Sequence, residues 1–205
     1  VLQKKLAEIE KESETGYFKI NFKSSEIEKE MATLTINNKS EVPGYGGFYW
    51  QYFEDLDKIV ENNNQPLKIL KELYLKKNTE DGAQLQKITS ENSLKIGDLI
   101  TVRLIISTTE NMEYVHLKDM RASALEPVNV LSEYEYKDGL GYYRSTRDAA
   151  THFFFDEIKK GTYVLEYDVR ANNIGEFSNG ITTIQSMYAP EFAGHSKGIR
   201  IKIVE

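Results

Sequence analysis

A strict alternation of apolar and charged side chains over residues 162–170 most limits what this chain can fold into. Its apolar positions are Tyr163, Leu165, Tyr167 and Val169. A period of two belongs to a β-strand that buries one face and exposes the other. The same pattern recurs over residues 99–107. The two segments therefore predict strands that share a hydrophobic core.

Other segments add strands and turns to this core. The predicted strands are residues 67–75, 112–117, 128–136, 151–155, 181–188 and 199–203. Counted from Leu67, about eight short strands follow one another with a turn signal every ~8–15 residues. Lys159–Gly161 is such a turn, and it predicts a hairpin between residues 151–155 and 162–170. This spacing favours an all-β fold, an antiparallel β-sandwich of the immunoglobulin-like kind.

The first third of the chain has its own β-type patterns. Residues 17–22, 31–36 and 48–53 alternate or are rich in aromatic side chains, which predicts three further strands. A polar stretch then leads to Pro66, as expected of a linker between domains. We therefore predict a smaller β-rich segment over residues 1–62 and the sandwich over residues 63–205.

Composition excludes several classes of function. The 205 residues include 26 basic and 32 acidic side chains, and the net charge of −6 gives no basic face for nucleic acid. The absence of cysteine rules out a disulfide framework, a cysteine nucleophile and a cysteine-ligated zinc. No apolar run reaches the roughly 20 residues of a membrane helix. The chain starts at Val1 with no signal peptide, so we expect a piece of a longer protein.

The residues that usually carry chemistry form no recognisable constellation. None of His116, His152 and His195 lies at a metal-ligand spacing from another histidine, and no Gly-x-Ser-x-Gly elbow is present. We therefore expect no catalytic residues, no bound cofactor and no metal, and a module that is not an enzyme. Tyrosines at 134–136 and 142–143 leave open stacking on sugars, although core or inter-domain contacts are the commoner use of such residues.

The segment from Gly141 to Glu191 contains several short pieces whose order and spacing are informative together. The pieces are Gly141–Tyr143, Arg147–Asp148, Phe153–Asp156, Lys160–Tyr163, Tyr167–Ala171, Gly175–Phe177 and Met187–Glu191. In that order they resemble the C-terminal macroglobulin domain of bacterial α2-macroglobulin-like proteins. Leu125–Asn129 and Tyr49–Glu54 extend the resemblance over nearly the whole chain.

This resemblance implies a macroglobulin-type sandwich and a role in a large exported trap for proteases. In that family a protease cuts a bait region, the molecule rearranges, and a Cys–Gln thioester on a helical domain reacts with the attacker. The chain would be the tail of such a trap, in which residues 1–62 follow the thioester domain. Its implied partners are the thioester domain of the same full-length chain and, through the whole protein, target proteases.

The resemblance also implies a site, since bacterial relatives use a tyrosine of this domain to keep water from the thioester. Tyr188 is the matching candidate, with Met187 and Glu191 beside it; the alternative is a structural tyrosine at a corner of the sandwich. The implied location is the periplasm or cell envelope, with no membrane insertion by this piece. The rival hypothesis is a cell-surface adhesion or carbohydrate-binding module with an exposed row of aromatic side chains.

Overall fold

All β-strands of the described chain lie beyond Pro66. The computed structural model describes residues 9–39, 41–63, 66–80, 82–89 and 91–205. The chain divides into two compact units, one ending at Gln51 and one beginning at Tyr52. Residues 1–8 of the predicted β-rich segment lie outside the described residues.

The described residues before Tyr52 do not form the predicted strands. Residues 17–22, 31–36 and 48–53 contain no strand, and Met31 and Ala32 belong to a 3₁₀ turn. The reason is that their apolar side chains, such as Phe48 at 60% and Ile36 at 81% exposure, find no second apolar layer to pack on. Two short 3₁₀ turns, Ser24–Glu26 and Lys29–Ala32, are the helical elements here. No helix within the described ranges is long and apolar enough to cross a membrane.

The described residues of the second unit form fourteen strands. They are β1 (Leu67–Thr79), β2 (Gly82–Lys87), β3 (Ser93–Lys95), β4 (Leu99–Thr108), β5 (Met112–Met120), β6 (Leu125–Pro127), β7 (Glu133–Lys137), β8 (Leu140–Thr146), β9 (Ala150–Ile158), β10 (Gly161–Ala171), β11 (Gly175–Ser178), β12 (Thr182–Ser186), β13 (Ala193–His195) and β14 (Arg200–Val204). The predicted all-β class and antiparallel sheets are confirmed.

The strands form three sheets. A five-stranded sheet has the order β2-β1-β4-β10-β6, and a six-stranded sheet has the order β13-β12-β5-β9-β8-β7. Every pairing in these two sheets is antiparallel. A small sheet, β11-β14-β3, contains the parallel pair β14–β3. β4 and β5 therefore lie within their sheets, with neighbours on both sides.

The core lies between the inner faces of the two large sheets. In β4 the four predicted inward residues are each at most 1% exposed: Ile100, Val102, Leu104 and Ile106. They belong to one hydrophobic cluster with side chains of the six-stranded sheet such as Leu117 and Phe155. One shared core between two sheets is the arrangement of a β-sandwich.

The predicted hairpin across Lys159–Gly161 is wrong. β9 pairs with β5 and β8, whereas β10 pairs with β4 and β6 in the other sheet. The turn therefore carries the chain from one layer to the other. Each of the two strands contributes a buried apolar row to the shared core, one from each facing sheet. The predicted strand at 128–136 is also shorter, because pairing with β8 begins only at Glu133.

A buried ion pair crosses this core. The ammonium group of Lys71 lies 2.7 Å from Asp119 Oδ1, and both side chains are fully buried. Lys71 also donates to the carbonyl oxygens of Met120 at 2.6 Å and Asn179 at 3.3 Å. Asp119 accepts further bonds from the hydroxyls of Thr182, at 2.5 Å, and Tyr167. Both charges are thus paired and hydrogen-bonded, as a buried ion pair must be.

Residues 55–63 lie against the strands β13 and β14. Asn62 and His195 exchange two backbone hydrogen bonds of 3.0 Å, and Gly198 donates to the Ile59 carbonyl at 2.8 Å. A Cβ at Gly198 would lie 1.9 Å from the carbonyl oxygen of Leu56, so only glycine fits there. This segment belongs to the compact unit of the sandwich. The predicted domain boundary between residues 62 and 63 stays a prediction.

Candidate functional site

The loop that follows β12 holds the three predicted site residues. Pairing of β12 with β5 continues one step beyond Ser186, where the Met187 amide donates to the Tyr114 carbonyl at 2.8 Å. The Phe192 amide then donates to the Ala189 carbonyl at 2.9 Å and closes the loop. Because β12 is buried and paired on both sides, the loop starts from a fixed strand end.

Tyr188 lies at the exposed tip of this loop. Its side chain is 80% exposed, and Met187 is 55% exposed. Glu191 is also exposed. As predicted, the strand ends here and an exposed loop follows. What these three side chains contact in a longer protein stays a prediction.

Tyr114 is a neighbour of Tyr188 that sequence reasoning missed. The two rings meet edge to face, with centroids 5.2 Å apart and planes at 90°. The Tyr114 backbone has φ +49°, a left-handed conformation that costs a tyrosine roughly 1–2 kcal/mol. Residues held in this way often mark functional positions. The pair forms an exposed aromatic edge, and its hydroxyl groups give it polar ends.

The same sheet brings together two histidines that are far apart in sequence. His116 Nε2 and His152 Nδ1 lie 2.9 Å apart, with one ring donating and the other accepting. Phe154, the cross-strand partner of His116, stacks on it with centroids 4.7 Å apart. Burial is the main cause that lowers the pKa of both imidazoles, and the charge of Lys118 adds to it. His195 lies apart, paired with Thr183 and Asn62. Nowhere in the described ranges do three His, Cys, Asp or Glu side chains converge as metal ligands.

The tyrosines considered for sugar stacking differ in their exposure to solvent. Tyr142 is only 5% exposed and points into the core, where its hydroxyl donates to Glu135. Tyr134 and Tyr136 are about 80% exposed on β7. These two residues border an open cavity of 570 Å³ that also has Asp156 and Glu157 on its wall. A short exposed aromatic row therefore exists, but it does not include Tyr142.

Comparison with known proteins identifies the sandwich. Residues 67–191 match the family model described as the bacterial alpha-2-macroglobulin MG10 domain. Escherichia coli alpha-2-macroglobulin activated by porcine elastase is a similar solved structure, with a TM-score of 0.57 and 20% identity over 72% of this chain and 14% of that chain. Salmonella alpha-2-macroglobulin reacted with methylamine gives a TM-score of 0.55 and 20% identity over 71% of this chain and 10% of that one.

The similarity to whole proteins is partial. A curated relative, Circularly permutated Ras protein 2 of Dictyostelium discoideum, is 22% identical over 163 residues, which are 78% of this chain and 4% of that protein. The chain thus spans 4% of this relative, and 10% and 14% of the two solved structures. At these identities the solved structures establish a shared fold.

Proposed function

The chain belongs to the bacterial alpha-2-macroglobulin MG10 domain family, and from this membership we propose that it is a non-catalytic C-terminal part of a protease trap. In this proposal the sandwich packs against a thioester domain of the same full-length chain and shields the thioester from water. The trap is exported to the periplasm or cell envelope, and target proteases meet the whole protein. The domain itself needs no cofactor for this role.

The exposed Tyr188 is the observation that carries the proposal. The Tyr188 side chain is 80% exposed at the end of a buried strand. Covering its ring with a partner surface removes apolar area from water, which is favourable. The edge-to-face contact with Tyr114 limits the orientations of the ring before a partner arrives. A partly ordered ring costs less conformational entropy on docking than a free one.

Chemistry explains why such a ring would protect a thioester. Hydrolysis requires a water molecule that attacks the thioester carbonyl carbon from above its plane, and an aromatic ring placed over that carbonyl excludes it. A protease cut that moves the sandwich away would then expose the electrophile. Two structural relatives support the general scheme, since one is described as activated by porcine elastase and another as reacted with methylamine.

The test uses the full-length protein with Tyr188→Ala. We expect the variant to release its thioester thiol without protease, and to react with methylamine, about tenfold faster than the wild type. Tenfold corresponds to a barrier lower by ~1.4 kcal/mol. Thiol release is followed with a chromogenic disulfide reagent, and covalent adducts are followed by gel shift after protease addition.

Tyr136→Ala is the matched control. Tyr136 is equally exposed, but it lies on β7 at the opposite edge of the six-stranded sheet. Its loss should leave the rate of thiol release unchanged. Equal rates of thiol release for the wild type and Tyr188→Ala would contradict the shielding role. If the full-length protein has no thioester, the proposal is limited to a trap that works without covalent linkage.

A second candidate function is carbohydrate binding, favoured by Tyr134 and Tyr136 beside the open cavity. Tyrosine faces stack on sugars, and carboxylates such as Asp156 accept bonds from sugar hydroxyls. A glycan array probed with this chain tests it. Specific binding that Tyr134→Ala abolishes would put this function first, and an array without signal would exclude it for the glycans printed.

A further inference from the structure

His116 and His152 share a hydrogen bond across two neighbouring strands. His116 lies on β5 and His152 on β9, which pair directly. The two ring planes differ by 3°, and His116 Nε2 lies 2.9 Å from His152 Nδ1. Such a bond requires a hydrogen on one facing nitrogen and a lone pair on the other. At least one of the two imidazoles is therefore neutral whenever the bond exists.

From this geometry we propose that the histidine pair is a pH-sensitive link between β5 and β9, which tolerates one added proton and breaks with the second. In the neutral pair the donor ring has a free lone pair on its outer nitrogen, His116 Nδ1 or His152 Nε2. The first proton binds there and makes the bond charge-assisted, which strengthens it. The lone pair that accepts the bond is then the last basic position of the pair, so the second proton binds only when the bond breaks.

The charges around the histidine pair oppose the second proton. Burial is the main cause that lowers the pKa of both imidazoles. A positive charge on His152 lowers the pKa of His116 further. Lys118, the cross-strand partner of His152, acts on both rings, and Arg147 acts on His152. Together these effects disfavour the state in which both rings are charged.

The residues beside the histidine pair supply little compensating negative charge. On the flanking strands, the cross-strand partners of the two rings are Gln185 and Ser145, which are uncharged. Along β5 the preceding titratable side chain is Tyr114, which is neutral in acid. Asp148 and Asp156 lie four residues before and after the histidine of β9. Both are exposed, so water screens their carboxylates.

Breaking the link weakens the folded state in acid. With two protons bound, both facing nitrogens carry a hydrogen and both rings a positive charge, so the rings separate while the backbone ladder remains. The unfolded chain has no such conflict, and its imidazoles titrate near pH 6.5. The unfolded state therefore binds more protons in acid. The stability that the pair provides is present above about pH 6.5 and lost as the pH falls below it.

The test is an NMR titration of this chain, labelled with ¹⁵N, from about pH 8 down to about pH 4. The bond is observed directly as a scalar coupling between the nitrogen nuclei His116 Nε2 and His152 Nδ1. Circular dichroism at each pH shows whether the sheet is still folded. We expect the coupling at the alkaline end, its survival through the first titration step, and its loss with the second step before the chain unfolds. The second step should need at least about a tenfold higher proton concentration than the first, as in strongly coupled sites.

Three variants test the coupling between the two groups. In His116→Gln, His152 loses its partner and should titrate in a single step, at a higher pH than the second step of the wild type. Lys118→Gln should move both wild-type steps to higher pH, because a positive charge is removed. His195→Gln is the control and should leave both steps unchanged, since His195 lies on β13 away from the pair.

A coupling that is absent at the alkaline end, or that persists until the chain unfolds, would overturn the proposal. Two histidines that titrate independently, with the His152 curve unchanged in His116→Gln, would do the same. The wild-type coupling decides the matter even if a variant does not fold. The result is independent of the proposed trap function.

Discussion

Replacing Lys71 by methionine tests whether the buried ion pair holds the sandwich together. The substitution keeps an unbranched apolar side chain of similar length, so packing changes little, but it removes the ammonium group. Asp119 then remains fully buried with only the hydroxyls of Tyr167 and Thr182 as donors. Removing one partner of a buried pair costs about 3–5 kcal/mol, because an uncompensated charge stays behind. The expected loss is a large share of the ~5–15 kcal/mol that stabilises a typical domain.

Urea unfolding of the chain, followed by circular dichroism, measures this loss. We expect a lower midpoint at an unchanged slope, since the surface exposed on unfolding is the same. Lys76→Met is the matched control on the same strand. Its partner Asp168 lies 2.7 Å away, but the two side chains are 29% and 25% exposed. That pair should be worth about 0–1 kcal/mol.

The double variant Lys71→Met with Asp119→Leu separates charge from packing. It leaves no buried charge, so its free energy of unfolding should exceed the value expected from adding the two single losses by about 1–3 kcal/mol. A loss below about 1 kcal/mol for Lys71→Met would refute the reasoning. Strict additivity in the double variant would do the same, because it would mean that the two groups do not interact.

Two further predictions concern pH and a close contact. Burial raises the pKa of Tyr142 and Tyr167 above the usual 10, so the folded state binds more protons than the unfolded state at alkaline pH. The free energy of unfolding should therefore fall as the pH rises above about 10. Tyr142→Phe should weaken this pH dependence. A wild-type stability that does not change at alkaline pH would contradict the prediction. Gly198→Ala should cost about 1–3 kcal/mol through overlap with the Leu56 carbonyl and should increase hydrogen exchange over residues 55–63. Gly44→Ala, where a Cβ meets open space, is its control, and equal behaviour of the two would contradict the steric argument.

The sequence was most informative where one face of a strand is buried. Alternation located β4 and β10 almost to the residue, because it reports burial directly. The same kind of pattern failed over residues 17–22 and 48–53, since alternation states that a strand could form but not that a partner exists. The crossover at Lys159–Gly161 was missed for a related reason. A turn signal gives a change of direction without naming the sheet that receives the next strand.

The candidate sites could also be predicted only where they depend on local sequence and not on which strands pair. Tyr188 became a candidate through the family resemblance and because Pro190 follows the strand at an exposed loop, and its role stays a prediction. The pair of His116 and His152 was missed because it depends on the register of β5 against β9, across 36 residues of chain. Lys71 did leave a signal, since it occupies an inward position of β1 between Ile69 and Leu73. A lysine in a row of buried residues predicts a buried counter-charge.

The placement of β14 has a consequence for how the domain is made. Ile201 and Ile203 enter the core from this strand, and its parallel partner β3 lies about a hundred residues earlier in the chain. During synthesis the ribosome must deliver all intervening strands before this part of the core can close. Until then the nascent sandwich presents apolar surface and unpaired strand edges, the features that favour aggregation and that chaperones bind. We therefore expect ribosome-stalled chains that end before Arg200 to remain sensitive to protease, and chains in which β14 has left the exit tunnel to become resistant.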